Sequence, residues 1–312
     1  MNGRFLQVRE KKQFGEHVMK IAAATYIFNE DINLRIWLNH YGDSCGRENI
    51  YIVDAGSTRK PDVDLRGVNI IHLPYAPFDD IDKSAVLSSL HTLLLRSYDA
   101  VIITDCDEIL VADPDKYKDL KDYARRGLSD YRTAIGLNVV HALDREYPVD
   151  FSQAMLEQRK YAIFTSYECK TLISRVPTRW SEGLHYVDRQ PVFDPDLYNF
   201  HIKLFDYNTA MNRHMENRKN VWKNKNKMKN SHHYSETEKF FNYTFHPVLD
   251  MLGRGVLDQF DFSEKLSSLT SEIIQDENGF FCFRREAYQF VTIPERFAQS
   301  IRFDSPAAPS PT

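Results

Sequence analysis

Three carboxylates fall within four positions at Asp105-Cys106-Asp107-Glu108, directly after the run Val101-Ile102-Ile103-Thr104. A short unbroken apolar and β-branched run is what a strand covered on both faces looks like, as in the interior of a parallel sheet. Acids at the end of such a strand are poorly placed for a core. In open α/β sheets that end faces the ligand crevice. Asp105 and Asp107 can both turn toward a hard divalent cation, Mn²⁺ or Mg²⁺, which takes oxygen ligands and keeps positions for water and phosphate. An Asp-Xaa-Asp triplet by itself is a common solvated turn. Its place after a buried strand, with Ile109-Leu110 resuming the apolar pattern, gives it weight. The chemistry predicted is that of a metal-dependent nucleotide-sugar site.

The elements that must position these acids come earlier. Residues 20–28 read as the first buried strand, although the alanine run alone is compatible with helix. Asn29-Glu30-Asp31 supplies a cap, and Ile32, Ile36, Trp37 and Tyr41 recur at helical spacing until Gly42 and Gly46. A second strand over 49–53 closes in the turn Asp54-Ala55-Gly56-Ser57-Thr58. A third strand follows at 68–73, then a helix over 80–97, then the strand that carries the acids. This order predicts an α/β domain with a mixed, mostly parallel sheet and flanking crossover helices.

Downstream the period weakens. A surface helix is predicted over 114–126, starting at Asp113-Pro114, with strands over 132–140 and 170–176 and no clear period over 152–164. Residues 183–201 read as loop-rich and aromatic, 205–229 as the start of a helical region, and 236–249 as another helix. The implied division is a catalytic domain over 1–205, a helical or irregular extension over 206–304 on the acceptor side, and a disordered Pro/Ala/Ser tail over 305–312. Residues 1–17 read as peripheral.

The chain has 312 residues, 42% hydrophobic and 27% charged, enough for one large α/β domain with a substantial core. A formal net charge of −4 argues against a nucleic-acid partner. The sequence has no membrane-length apolar run and no apolar leader after Met1. Its four cysteines are widely spaced, pointing to a reducing compartment and a cytoplasmic location. Asn242-Tyr243-Thr244 matches a glycosylation sequon, read as chance without a leader.

Three pieces line up in order: Thr25-Tyr26-Ile27-Phe28-Asn29-Glu30 followed by Trp37, Asp54-Ala55-Gly56-Ser57-Thr58, and Asp105-Cys106-Asp107-Glu108. With these, residues 18–115 resemble the GT-A (Rossmann-like) glycosyltransferases, most closely the family-2-like and family-92-like groups. The resemblance implies that Asp54 accepts a hydrogen bond from a uracil imide, and that Thr25, Tyr26, Asn29 and Glu30 line the nucleotide pocket. It implies that Asp105 lies near ribose and metal and that Asp107 ligates the metal bridging the diphosphate. Trp37 is read as core.

Many GT-A enzymes add a late histidine to the metal. His201 in Tyr198-Asn199-Phe200-His201-Ile202-Lys203 sits at the corresponding place, with His185 as competitor and Lys203 facing the phosphates. An inverting transfer needs a base for the acceptor hydroxyl. Glu168 is the first candidate, with Glu182 and Asp188 as alternatives. The run 213–229 holds seven Lys or Arg against one Glu. It reads either as a solvated face or as a basic segment that closes over the diphosphate, together with His232 and His233, or docks on anionic lipid.

The expectation is therefore a metal-dependent glycosyltransferase, inverting where one of these carboxylates serves as base and retaining where none does, moving a sugar from a UDP-linked donor to a hydroxyl of a glycan or lipid-linked acceptor. One rival is a nucleotidyltransferase. Such enzymes begin with a Gly-rich, basic phosphate loop, and Tyr26 to Asp31 contains neither glycine nor a basic residue. Another is a non-catalytic nucleotide- or carbohydrate-binding module on the same scaffold, against which the presence of both aspartates and the Asp-Xaa-Gly-Ser turn speaks.

Overall fold

The structure is a computed structural model that describes residues 19–230, 236–284 and 286–303. The chain begins with β1 (Ile21–Ile27), α1 (Ile32–Cys45), β2 (Ile50–Asp54), β3 (Asn69–His72), α2 (Asp80–Leu94) and β4 (Ala100–Ile103), in the predicted order. These strands lie side by side as β3-β2-β1-β4, all parallel. Small residues make the centre of this layer possible. Ile21, Ala23 and Ile27 of β1 meet Leu34, Trp37 and Tyr41 of α1, while Ala22 and Ala24 face Leu87, Leu90 and Leu94 of α2. A strand pressed by helices on both faces has no polar alternation, which is why its alanines also fit a helix.

Two cap readings change. Gly42 lies inside α1, and the helix stops at Gly46, where φ is 89°. Asp31 does not cap α1; its carboxylate accepts from the Asp62 amide at 3.0 Å. Asp79 does cap α2, accepting from the Ile81 amide at 2.9 Å.

After β4 the chain turns sharply into β5 (Glu108–Ala112), then α3 (Leu120–Arg126), β6 (Tyr131–Val140), α4 (Met155–Gln158), β7 (Tyr161–Thr165), β8 (Ile173–Ser174) and β9 (Phe193–Leu204). Three expectations are corrected here. The helix predicted from Asp113-Pro114 amounts to a single turn there, Asp113 accepting from the Asp115 amide and from Arg296, both at 3.1 Å, and α3 is capped by Asp119, whose carboxylate accepts from the Asp122 amide at 2.7 Å. The strand predicted over 170–176 shrinks to the two residues of β8. The stretch read as loop over 183–201 contains most of the long strand β9, which pairs with β5 on one side and β6 on the other.

The remainder comprises α5 (Tyr207–Asn217), α6 (Lys225–Asn230), α7 (Thr237–Thr244), α8 (His246–Gly253), α9 (Ser263–Ser271), the hairpin β10 (Ile273–Gln275) and β11 (Phe281–Phe283), and β12 (Tyr288–Thr292). The single helix predicted over 236–249 is two, parted at Phe245 because Pro247 can only start a new helix. Met211 and Ala210 of α5 pack with Phe240 and Phe245 in a small cluster apart from the main core. Residues past 206 also return to the sheet: β12 pairs antiparallel with β7, and Phe297, Ile301 and Phe303 join the main core. Among the described residues the result is a mixed α/β fold, a ten-stranded sheet with parallel central strands and helices on its faces. No described helix is long and apolar enough to cross a membrane. The readings for 1–17, for His232 and His233 and for the tail over 305–312 lie outside the described residues.

Candidate active site

The carboxyl edge of β3-β2-β1-β4 is where the chain switches from one side of β1 to the other, the place where open α/β sheets leave a crevice. Helix α1 fastens the acid-bearing loop at this edge. Trp37 Nε1 donates to Thr104 Oγ1 at 2.6 Å, and the Tyr41 hydroxyl accepts from the Leu110 amide at 2.8 Å while donating to the Glu108 carbonyl at 3.1 Å. Within the turn the Asp105 amide donates to the Glu108 carboxylate and the Glu108 amide to the Asp105 carbonyl, both at 3.1 Å. The turn holds Glu108 fully buried.

Each acid has a counter-charge. Asp105 accepts from Lys83 of α2 at 3.0 and 3.3 Å, and Lys83 also lies 3.2 Å from Asp80. Burial disfavours the Lys83 ammonium, but these two aspartates hold it protonated. Glu108 is bonded to Lys170, which also stands 3.4 Å from Glu168. Burial pushes the Glu108 carboxyl up to about 7 even against Lys170. Glu30 is bonded to Arg213 of α5, whose other terminal nitrogen lies 3.6 Å from Asp107. Burial raises Asp107, yet Arg213 and His201 together hold it well below the usual carboxylate range.

His201 arrives by strand pairing. The register of β9 sets it beside Glu108 of β5 and Asn138 of β6. Its Nδ1 lies 2.7 Å from Asn138 Oδ1 and 3.3 Å from Glu168 Oε1, and its Nε2 faces Asp107 Oδ2 at 3.6 Å. Glu168 ends a 3-10 turn (Ser166–Glu168) pressed onto β6 at Gly136, where a Cβ would stand 2.2 Å from the Glu168 carbonyl carbon. Burial pushes the Glu168 carboxyl up, but His201 and Lys170 outweigh it and bring it down to about 2.

The other predicted residues are placed as follows. Thr25 is buried inside β1, and Tyr26 is half-buried. Asn29, with φ 52°, ties the loop after β1 to the turn after β2: its amide donates to Ser57 Oγ and its side chain accepts from the Thr58 amide, both at 2.9 Å. Asp54 accepts from the Ser57 amide at 2.9 Å and lies 3.2 Å from His72 Nδ1, so one oxygen is partnered within its own turn and the other by the neighbouring strand β3. Gly56 gives that turn φ 77°, and a Cβ there would meet the Tyr75 backbone at 2.5 Å. Lys203 follows His201 on β9, and burial lowers its ammonium against Asp107 and Glu168. His185 bonds the Tyr167 carbonyl at 3.0 Å and packs on the Tyr167 ring, Asp188 pairs with Arg179 and Arg189, and Glu182 is exposed.

Ion pairs and hydrogen bonds thus bring Glu30, Asp107, Glu168 and His201 together, with Asp105 on the same loop. Sequence reading missed Lys83, Asn138 and Lys170, which carry no motif, and took Arg213 only as one member of a basic run. That run is not a bare cationic face. Lys219 pairs with Glu216, Lys223 lies 2.9 Å from Asp82, and Trp222 packs edge-on against Phe78 at 5.0 Å, strapping the segment to the start of α2.

Among the described residues no group of three or more His, Cys, Asp or Glu side chains is arranged to hold a metal. What exists is a pair. The 3.6 Å between Asp107 Oδ2 and His201 Nε2 exceeds a hydrogen bond. It lies within the roughly 3–4 Å that two ligands of one cation span when each bond is about 2.1 Å. Mg²⁺-like cations are held through one or two carboxylates, the rest being phosphate and water, so Asp107 is the donor that fits such an ion and the His201 nitrogen is the softer ligand beside it.

No family model matches the chain, and no curated protein is found similar to it. Among solved structures the chain is similar to the mannose-1-phosphate geranyltransferase from Thermus thermophilus, at 11% identity over 74% of this chain and 68% of that one. The TM-score of 0.25 is too low for that likeness to bear on fold or activity.

Proposed function

We propose that this chain is a metal-dependent glycosyltransferase of the GT-A type, moving a sugar from a nucleotide donor, UDP-linked by the resemblance of residues 18–115, to a hydroxyl of a glycan or lipid-linked acceptor. The observation that carries the reading is the meeting of Asp107, from the end of a central parallel strand, with His201 at the carboxyl edge of the sheet. Asp107 and His201, with Asp105 beside them, would hold Mn²⁺ or Mg²⁺. When bound, that ion supplies Lewis-acid neutralisation of the departing diphosphate.

The chain's own cations supply the rest. Lys83 neutralises Asp105, and Lys203 adds positive charge beyond His201. Arg213 spans Glu30 and Asp107 and is the group able to pass from these acids to phosphate when the donor enters. The loop carrying Asn29 and Glu30, pinned to the Asp54 turn, forms the nucleotide side of the crevice.

A nucleotidyltransferase would use the same acids. Against it stands the loop from Phe28 to Asp31, which contains no glycine or basic residue and whose Asn29 amide is spent on Ser57. The test is thermal stability with UDP and Mn²⁺ added separately and together, since a ligand of the native state stabilises by mass action. A shift beyond the sum of the two, lost in Asp107→Ala, supports the reading; additive shifts unchanged in that variant refute it. A hydrolysis screen over nucleotide sugars then separates the two activities: free sugar for a glycosyltransferase, sugar phosphate for attack at phosphorus.

A further inference from the structure

We infer that the rings of Tyr167, His185 and Tyr186 form the acceptor subsite, and that the acceptor is a glycan whose pyranose units stack on them. The inference rests on the glycosyltransferase reading above and names its acceptor class.

The rings begin where the cluster of acids ends. Tyr167 precedes Glu168 in the 3-10 turn. The Glu168 carboxylate turns inward to His201 at 3.3 Å, while the Tyr167 side chain stays 45% exposed. His185 covers one side of that ring, with centroids 3.6 Å apart, and its Nδ1 bonds the Tyr167 carbonyl at 3.0 Å. Both lie beside the site: Tyr167 is within electrostatic reach of Asp80, and His185 of Lys83, the α2 pair that holds Asp105.

The loop that carries His185 is fixed from two sides. The Ser181 carbonyl accepts from Ser84 Oγ of α2 at 2.8 Å, and the Gly183 carbonyl accepts from Lys170 at 2.9 Å. Gly183 and Leu184 both take left-handed backbone, with φ 64° and 59°, and a Cβ at 183 would stand 2.6 Å from His185 Nε2. Leucine is disfavoured in that region, and backbone strain of this kind gathers at segments that hold ligands.

The aromatic surface continues away from the acids. Tyr186 lies 6.4 Å from His185 and meets Phe283 edge-on at 5.9 Å. Two hydrogen bonds between Ser166 and Ala287, at 3.1 and 3.0 Å, bring the start of β12 to the same turn, with exposed Tyr288 bonded to Glu286. One donor sugar needs a single ring, whereas a row of rings matches successive units of a chain. The C–H groups on a pyranose face suit the negative face of an aromatic ring, and its hydroxyls reach the polar tips at the ring edges. A hydrocarbon tail would cover the same rings but strip water from the Tyr288 hydroxyl and the Glu286 carboxylate without replacing its hydrogen bonds. The surface therefore favours a glycan over a lipid chain.

The test is saturation-transfer NMR of the full chain with cellotriose, maltotriose, chitotriose and mannotriose, and with decyl phosphate as the lipid-like probe. At least one trisaccharide is expected to bind through its ring C–H protons. Tyr167→Ala should weaken that binding about three- to tenfold, and Tyr167→Phe, which keeps the ring, should bind nearly as the wild type does. The joint stabilisation by UDP and Mn²⁺ should persist in Tyr167→Ala, which a misfolded variant would not give. The inference is overturned if no trisaccharide binds, if binding ignores Tyr167→Ala, or if decyl phosphate alone depends on Tyr167. Loss of the joint UDP and Mn²⁺ shift in both Tyr167→Ala and Tyr186→Ala overturns it too, because the rings would then belong to the donor's side. A joint shift in the wild type without trisaccharide binding leaves the transferase reading standing and removes this one. Trisaccharide binding on Tyr167 without any joint shift removes the transferase reading, and the acceptor assignment with it.

Discussion

His201 stands directly across from Glu108 in the register of two antiparallel strands, so the residue before Glu108, Asp107, is the one its ring nitrogen reaches. A shift of one residue between β5 and β9 would turn the histidine to the other face of the sheet and leave Asp107 with Arg213 alone. The site is thus made by strand pairing as much as by the acid-bearing loop.

Arg213 shares the Asp107 oxygen that a cation would need. Replacing it with alanine removes a positive charge 3.6 Å from that oxygen and also leaves Glu30 without its partner. Stability should fall by about 1–3 kcal/mol, less than for a fully buried pair because the Arg213 side chain is one-quarter exposed. Mn²⁺ binding, by contrast, should tighten several-fold while UDP binding weakens. Urea unfolding and Mn²⁺ titration of Arg213→Ala check the opposed signs. A loss of Mn²⁺ affinity would mean that Arg213 supports the site rather than competing for it.

Trp37 acts on the same acids from beneath. It is fully buried and donates to Thr104, the residue before Asp105. Trp37→Phe keeps most of the apolar packing but removes the indole donor to the Thr104 hydroxyl, at a cost of about 1 kcal/mol. The same variant should blunt the joint stabilisation by UDP and Mn²⁺, because the acid loop loses its fastening to α1. An unchanged joint shift beside a lowered melting temperature would confine Trp37 to a purely structural part.

β1, β2 and β4 were legible because each is a largely apolar run closed by turn residues, β3 through Ile70-Ile71 alone, and Asp105 and Asp107 stand out against such a strand. β9 was not legible. Asn199 and His201 interrupt its apolar run, yet Asn199 is fully buried and hydrogen-bonded to the Glu168 carbonyl. A buried polar residue whose amide nitrogen reaches a distant backbone group looks like loop until that partner is seen. The counter-charges were hidden for the same reason. Nothing local separates Lys83 or Lys170 from other lysines with an acid nearby in sequence, since the partners that place them at the site, Asp105 and Glu108, come from elsewhere in the chain.

Gly136 was also silent in the sequence, and it sets how closely the Glu168 turn approaches β6. In Gly136→Ala the new Cβ would stand 2.2 Å from the Glu168 carbonyl carbon and 2.5 Å from the Cys169 amide nitrogen, both backbone. Backbone yields less readily than a side-chain tip. The expected cost is about 1–3 kcal/mol of overpacking, with Glu168 pushed off His201. Chemical denaturation measures the first, and Mn²⁺ titration of the refolded variant the second. Wild-type values for both would mean that the turn is free to shift.

His91 supplies a pH dependence away from the acids. Its ring is fully buried on α2, edge-on to Trp180 at 4.9 Å, and burial lowers its pKa to about 4. The unfolded chain therefore takes up this proton near pH 6.5, while the fold resists until about pH 4. The unfolded state binds more protons between those values, so stability rises with pH across the window. The contribution is complete above about 6.5 and is lost as pH falls toward 4, to a total of about 3 kcal/mol. Urea unfolding of wild type and His91→Phe at several pH values between these limits checks it. The variant should lose roughly that much of the slope while keeping the contact with Trp180, and parallel curves for the two proteins would show that the ring titrates alike in both states.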